Sequence, residues 1–229
     1  MSTTVVGCVH VLVRVWLPDR PGALGLVASR IGAIGGDIVG VEVLERSGAV
    51  AVDEFAVELP DAELLPLLVR EIEEVDGASV EELRPVDEFP DPRLDALGSA
   101  IRLCAADDPS QLSWRLTDQT CTEFVADWSV LLDRSEIIAL AGDAPSLDQL
   151  EALAAGTAAS PLVASGEAGP DDLAVATIPE RGMTLLVGRA GHPFRRRERA
   201  QLLALARVAG HVWDLLEHRP ADAPRRDEA

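Results

Sequence analysis

The first 86 residues of the chain alternate between two hydrophobic periods, and the order of these periods constrains the fold more than any other feature. Apolar residues at every second position predict strands at residues 9–16, 38–45, 49–59 and 79–86. Apolar residues three and four positions apart predict helices at residues 21–34 and 60–75. The sequence therefore predicts the order strand, helix, strand, strand, helix, strand.

This βαββαβ order is that of the ferredoxin-like split unit. Such a unit forms a four-stranded antiparallel sheet with both helices on one face. On the first strand, the other face would carry His10, Leu12, Arg14 and Trp16. Two large apolar side chains on an open face indicate contact with a second sheet or subunit.

The segment between the first strand and the first helix reads Asp19-Arg20-Pro21-Gly22-Ala23-Leu24. Asp19 is expected to cap the helix, and Pro21 suits its first turn. Gly22 would let a ligand approach the backbone closely. Because unpaired N–H groups at a helix start attract carboxylates, the segment is more typical of a small-molecule binding loop than of a plain connection.

With this hexapeptide, the first unit resembles the ACT domain family of ligand-binding modules that regulate amino-acid metabolism. Two further segments carry the resemblance, Gly35-Gly36-Asp37-Ile38 before the second strand and Asp53-Glu54-Phe55 in the third. The resemblance covers about residues 9–86, and we assign the domain to residues 8–86. It implies that the loop binds an amino acid, often between two subunits, with the loop amides on the ligand carboxylate.

Carried onto this sequence, the resemblance implies a set of ligand-binding residues: Leu17, Asp19, Pro21, Gly22, Ala23, Leu24, Asp37 and Ile38. Asp37 departs from the family, which often has Asn at that position. A carboxylate there would repel the ligand carboxylate but would accept hydrogen bonds from an ammonium group. In the alternative interpretation, Asp19 only caps the helix and Gly22 only serves packing.

Residues 87–93 are acidic, contain two closely spaced prolines and predict a linker. A second unit is predicted at residues 94–219, followed by a disordered tail at 220–229. Its predicted helices are at 94–106, 109–125, 146–155 and 193–219. Its predicted strands are at 126–133, 136–141, 173–178 and 183–189. Residues 156–171, rich in small residues, predict a loop.

The second unit resembles a GAF domain, an α/β sandwich with an antiparallel sheet. The resemblance rests on Leu185-Leu186-Val187-Gly188-Arg189, then His192-Pro193-Phe194, then a final helix that contains residues 202–206. It implies a domain that senses a second ligand or mediates assembly. The strands at 126–133 and 173–189 would line its pocket, and Trp128 would belong either to that pocket or to the core. The predicted fold class is thus α+β, with a ferredoxin-like ACT domain followed by a GAF-like sandwich.

The net charge of −19 argues against nucleic acid and anionic membranes as partners. No apolar run is long enough to span a membrane, and residues 1–6 do not have the pattern of a leader. The three cysteines lie far apart, so buried neutral thiols and a cytoplasmic protein are expected. Lys, Asn and Tyr are absent, which indicates a high-GC bacterial genome.

No enzyme motif is found among the nucleophile, zinc-protease and phosphate-binding patterns. The four histidines do not cluster, so no catalytic residue, metal or cofactor is expected. The run from Arg195 to Arg199 has two interpretations, an anion or partner patch and a solvated helix start.

The sequence therefore predicts a non-enzymatic sensor or regulator that binds an amino acid or related small metabolite. A homodimer is expected, with allosteric output that acts on a regulated protein partner. The alternative is a structural dimerisation or interaction module without a small-molecule ligand.

Overall fold

The computed structural model describes residues 8–167, 169–178 and 181–218. The chain divides into two compact units after Asp91. Three predictions fall on residues outside this range. They are the lack of a leader pattern at residues 1–6, the first residues of the connection between the predicted strands 173–178 and 183–189, and the disordered tail at 220–229.

The first unit has the predicted order of elements, with a 3-10 turn at Ala62–Leu64 before its second helix. The strands are β1 Val9–Pro18, β2 Asp37–Ser47, β3 Val50–Leu59 and β4 Ser79–Val86. The helices are α1 Ala23–Ala33 and α2 Leu65–Glu73. The hairpin turn between β2 and β3 lies at Gly48, as the sequence predicts to within a residue.

The sheet order in this unit is β2-β3-β1-β4, with every neighbouring pair antiparallel. This is the ferredoxin-like arrangement predicted from the sequence. Alternate residues of β1, from Val11 to Leu17, pack with Phe55 of β3 against Val27 and Ile31 of α1. Each fully buried side chain of this size contributes about 1.5–3 kcal/mol, so this apolar layer fixes the register of β1.

The opposite face of this sheet carries many carboxylates beside the apolar side chains of Leu12, Trp16 and Val52. The register places two arginines there, Arg14 and Arg84, against the carboxylates Asp37, Glu42, Glu45, Glu54, Glu58 and Glu82. Arg14 lies 3.0 Å from Glu54 and 3.8 Å from Glu82. Of the two large apolar side chains expected there, Leu12 is buried and Trp16 is exposed. Two copies that met through this face would therefore bring like charges together.

The second unit contains a four-stranded antiparallel sheet of order β6-β5-β8-β7. Its strands are β5 Trp128–Asp133, β6 Glu136–Gly142, β7 Leu173–Ile178 and β8 Met183–Gly188. Its helices are α3 Pro92–Cys104, α4 Pro109–Glu123, α5 Leu147–Ala158, α6 Pro161–Ala164 and α7 Arg196–Glu217. Since α3 begins at Pro92, the end of the predicted linker is helical.

Helices pack on both faces of this sheet, so the unit is a sandwich. On one face, Leu131 and Leu185 pack with Leu116 of α4 and Leu205 of α7. On the other face, Val130, Leu132 and Leu186 pack with Leu150 of α5.

Trp128 packs against that second, smaller core rather than standing free in a pocket. Its indole ring lies over Gly188, where a Cβ atom would come within 2.2 Å of the ring. The core interpretation of Trp128 therefore fits its position in the structure.

The prediction of a loop over residues 156–171 is wrong in part. Helix α5 continues to Ala158, and the Thr157 hydroxyl donates to the carbonyls of Leu153 and Ala154 within it. Ser160-Pro161 then begins the short helix α6. Alanine, the strongest helix former, accounts for several of the small residues that indicated a loop.

Neither interpretation of the arginine run describes Arg195 and Arg199, which are buried. Arg199 donates to the carbonyl oxygens of Leu173, Pro170 and Phe194 at 2.7–3.0 Å. Arg196 and Arg197 are exposed. The run therefore contains two buried arginines, of which Arg199 bonds backbone carbonyls, and two exposed ones, Arg196 and Arg197.

Candidate functional site

The loop between β1 and α1 presents an uncapped helix start. Gly22 occupies the N-cap position with φ +90°, in the left-handed region, and no side chain in the described part of the chain caps the helix. The space where a Cβ atom of Gly22 would lie is open to 4 Å. Among the described residues, the N–H groups of Leu24 and Gly25 have no hydrogen-bond acceptor. The loop therefore offers free donors at the positive end of the helix dipole.

The prediction that Asp19 caps α1 is wrong. Its carboxylate accepts two hydrogen bonds from Arg46, near the end of β2, at 2.5 and 3.1 Å. Its backbone N–H donates to the carbonyl of Ala49 at 2.8 Å. This pairing lowers the pKa of Asp19, and Asp19 in turn raises the pKa of Arg46. Because Arg46 holds the carboxylate against the β2–β3 turn, the helix start stays free.

Asp53 is a buried carboxylate at the same end of the sheet. It lies on β3 opposite Val15 of β1 and Val43 of β2, on the face that carries the helices. Only 4% of its surface is exposed, and among the described residues its Oδ1 has no hydrogen-bond partner. Burial raises the pKa of Asp53; Arg46 opposes this effect and Asp19 adds to it. A buried, unpartnered carboxylate is suited to bind a cationic group.

The structure places the remaining loop residues in two environments. Leu17 and Ala23, on either side of the loop, are buried in the core of the unit. Pro21 and Leu24 are exposed beside Gly22. These residues and Asp19 lie together, as the sequence predicts, at the end of the sheet where β1 meets the β2–β3 turn.

Asp37 and Ile38 lie at the opposite end of the sheet. Asp37 faces Glu58 across β2 and β3, and Ile38 packs against the core opposite Val57. Strand β2 runs from Asp37 to Ser47, so roughly 30 Å of strand separates Asp37 from the loop end. Within one copy, Asp37 and Gly22 therefore cannot contact the same amino-acid-sized ligand.

Arg46 and Asp53 are absent from the residues predicted as a site. The sequence alone could have indicated Asp53. It lies an even number of residues from Phe55, Val57 and Leu59, so it is a charged residue on the strand face that packs on the core. No comparable signal marks Arg46, because its role depends on β2 ending beside β1, which only the sheet order reveals.

Replacing Asp53 by asparagine is expected to stabilise the first unit at neutral pH. Since the pKa of Asp53 is raised in the fold, ionisation costs stability as pH rises above about 4, the range of an unfolded aspartate. Removal of this cost, about 1 kcal/mol, raises the Tm by a few degrees at pH 7. The gain shrinks as the pH falls toward 4. Thermal unfolding from pH 4 to 8 measures this trend, with the exposed Asp76→Asn as control; a lower Tm at pH 7 contradicts the assignment.

Among the described residues, no three His, Cys, Asp or Glu side chains lie together as a metal site. Within the same residues, no helix has the length and apolar character needed to cross a bilayer. The expectation of buried thiols is wrong for Cys8 and Cys104, which are exposed, whereas Cys121 is half-buried. Burial and the nearby Asp118 and Asp127 raise the pKa of Cys121.

No family model matches the chain, and no curated protein matches it. Among solved structures, one match is the ACT domain of a GTP pyrophosphokinase from Chlorobium tepidum, at 11% identity and a TM-score of 0.28. It covers 35% of this chain and 88% of that one. Another is the ligand-free regulatory subunit of aspartate kinase from Thermus thermophilus, at 15% identity, a TM-score of 0.28, and coverage of 91% and 97%. At these scores neither likeness establishes a shared fold.

Proposed function

We propose that the protein is a non-enzymatic regulator whose first unit is an ACT domain that binds an amino acid or a related small metabolite. The observation that carries this proposal is the pairing of two features at one end of the sheet. One is the uncapped start of α1 at Gly22, and the other is the buried carboxylate of Asp53. Together they offer partners for both charged groups of an amino acid.

In the proposed complex, the ligand carboxylate accepts hydrogen bonds from the N–H groups of Leu24 and Gly25. The helix dipole adds about 0.3–1 kcal/mol at such a position. The ligand ammonium group pairs with Asp53, and the Asp19–Arg46 ion pair forms the rim. Gly22 matters because its φ of +90° disfavours other residues and the space beside its Cα is open.

A homodimer is part of the proposal, since Asp37 and Ile38 could contact a ligand at Gly22 only from a second copy. Strand β2 is an edge strand of the sheet and exposes the valines Val39, Val41 and Val43. An apolar edge strand is a ready surface for another chain. The acidic open face makes a dimer through that face unfavourable, which supports association at the edge.

For the second unit we propose a GAF-like domain that takes a second ligand or mediates assembly. The regulator would then act on a protein partner through a change in dimer geometry, with no role for nucleic acid or anionic membranes given the net charge of −19. An observation also favours the structural alternative: α3 exposes Leu94, Leu97 and Ile101 along one side, each more than 60% accessible. Such a stripe suits helix association without any small-molecule ligand.

A thermal-shift screen of the whole protein with each standard amino acid at 10 mM tests the proposal. A ligand with a Kd near 0.1 mM adds about 2.7 kcal/mol at 100-fold excess and raises the Tm by several degrees. If no amino acid and no close derivative changes the Tm, the proposed binding function is contradicted and the structural module is favoured.

A further inference from the structure

Helix α3 of the second unit carries an apolar surface on the side that faces away from its own core. Ser99 and Leu103 lie on the buried side of the helix. On the other side, Leu94, Leu97 and Ile101 are 66%, 62% and 67% exposed. Because residues three and four positions apart share one face of a helix, these side chains form one continuous surface. A contiguous apolar surface of this kind marks an interaction site.

The spacing of this surface indicates that a helix covers it. Cys104 is also exposed and follows Ile101 by three positions, so with Leu94 and Leu97 the spacings are three, four and three. This is the spacing of the a and d positions along which two helices pack side by side. A helix that packs on a broad core has a wider apolar stripe, whereas this narrow one is that of a two-helix seam. We call these four residues the α3 seam.

Small residues flank the centre of the α3 seam on both sides. Gly98 lies on one side and Ala100 on the other. In a two-fold antiparallel pair, a residue beside the centre of the seam meets the same residue of the other copy, so glycine would face glycine and alanine would face alanine. The distance between packed helix axes depends on the side chains at the contact, and small ones give the shortest, about 8 Å. The centre of the seam thus permits close approach.

Charges at the two ends of the α3 seam favour one orientation of the second helix. Arg93 lies just before the seam and Asp107 lies after it, and both are exposed. In a parallel pair, each would lie beside the same residue of the other copy, so like charges would meet at both ends. In an antiparallel pair, Arg93 lies beside Asp107 of the second copy. Because flanking charges set partner choice and orientation in paired helices, the seam is complementary to itself when the two helices run in opposite directions.

We infer that the α3 seam pairs antiparallel with the α3 seam of a second copy of the chain. In this register Leu97 packs on Ile101 of the second copy and Leu94 packs on Cys104, so each seam residue contacts another. The same surface serves both copies, as a two-fold axis requires. The inference deepens the assembly role proposed for the second unit and rests on that proposal; its geometry depends on neither the loop at Gly22 nor the edge of β2.

Disulfide trapping in the full-length chain tests this pairing. One helix per copy buries less area than a standard stable interface, so a covalent link captures the pair better than a size measurement. In the double variant Cys8→Ser, Cys121→Ser, Cys104 is the only cysteine left. Adding Leu94→Cys provides two thiols that face each other across the antiparallel pair. With oxidised glutathione as the oxidant, we expect a dimer on a non-reducing gel, in which mass spectrometry finds a disulfide between positions 94 and 104 of different copies.

Two control proteins test the direction and the register. Without Leu94→Cys, the Cys104 thiols of an antiparallel pair lie ten helix positions apart, about 15 Å, which is beyond the reach of a disulfide. With Ala96→Cys instead of Leu94→Cys, the added thiol is exposed on α3 but lies outside the seam. Both proteins should form dimers at least about tenfold more slowly. A link between two Cys104 residues at a similar rate shows a parallel pair and overturns the inference, as do equal rates with Ala96→Cys or no link at all.

A charge at the centre of the α3 seam should separate the two copies. Leu97→Glu in the trapping protein brings two carboxylates near each other there, and we expect cross-linking to slow at least about tenfold. Because Leu97 is exposed within one copy, the variant should keep the circular dichroism spectrum of its parent. The matched control is Leu162→Glu, at a leucine 55% exposed on α6, which packs on α5; it should leave the rate unchanged. Equal rates in the two variants overturn the inference.

The outcomes for this inference and for the proposed amino-acid site are separate. Leu97→Glu should keep the thermal shift produced by the best amino acid, and Gly22→Asp should keep the cross-link between positions 94 and 104. A cross-link without any thermal shift upholds the seam and contradicts ligand binding, whereas a thermal shift without a cross-link does the reverse. Loss of the cross-link in Gly22→Asp would place the contact in the first unit and overturn the inference.

Discussion

Replacing Gly22 by aspartate is expected to weaken amino-acid binding by about 100-fold or more. The new carboxylate would lie where the ligand carboxylate meets the helix start. Two like charges 4 Å apart repel by about 4 kcal/mol at an effective dielectric constant of 20, and about 2.7 kcal/mol already corresponds to 100-fold. Calorimetry or a thermal shift with the best ligand from the screen measures the loss.

Gly22→Asn is the matched control for this variant. Asparagine has the same size as aspartate and tolerates the left-handed φ of +90° about as well, so the two variants share backbone strain and steric hindrance. The difference between them reports the charge alone. We expect asparagine to retain at least about tenfold more affinity than aspartate. Equal affinity in the two variants would contradict a carboxylate at the helix start.

The second large effect is expected on stability, from Arg189→Lys in the second unit. Arg189 is buried and donates to both oxygens of Glu198 at 2.9 Å, and to the carbonyls of Phe124, His192 and Pro193 at 2.7–2.8 Å. Its guanidinium also lies 4.1 Å above the ring of Phe194. Lysine keeps the charge but cannot reproduce this planar set of donors.

We expect Arg189→Lys to lower the free energy of unfolding by about 3 kcal/mol, because broken buried pairs leave carbonyls and a carboxylate without donors. The matched control is Arg196→Lys, an exposed arginine in the same segment, which should change stability by less than about 0.5 kcal/mol. Urea unfolding followed by circular dichroism compares them. Similar midpoints for both variants would show that Arg189 does not organise the start of α7.

The order of the main helices and strands in both units, apart from the short helix α6, could be predicted from the sequence because most of these elements have an apolar face with a clear period. The strand from Val9 and the helix with Val27 and Ile31 are examples. The start of α7 could not be predicted in the same way. A run of arginines indicates solvent, yet Arg199 is buried because the β7 start and the preceding loop present several carbonyls to it. Hydrogen-bond partners that come from distant segments leave no local pattern.

In the candidate site, too, locally determined features could be predicted, whereas those set by distant partners could not. The loop around Gly22 could be selected from the sequence as a candidate site because its residue types act locally, through backbone conformation and helix geometry. The role of Asp19 was predicted wrongly because its partner, Arg46, comes from another strand. The phase of Asp53 along β3 marks it as a charge on the core face, but among the described residues the missing partner of its Oδ1 is visible only when the neighbouring elements are in place.

The most direct test of the binding loop is a titration of the isotopically labelled protein with amino acids, followed by nuclear magnetic resonance of the backbone amides. With a bound amino acid, the amide signals of Gly22, Ala23, Leu24 and Gly25 should shift most, and the side-chain carboxyl of Asp53 should respond with them. Shifts confined to residues far from this loop, or no shift with any of the standard amino acids at 10 mM, would contradict the account.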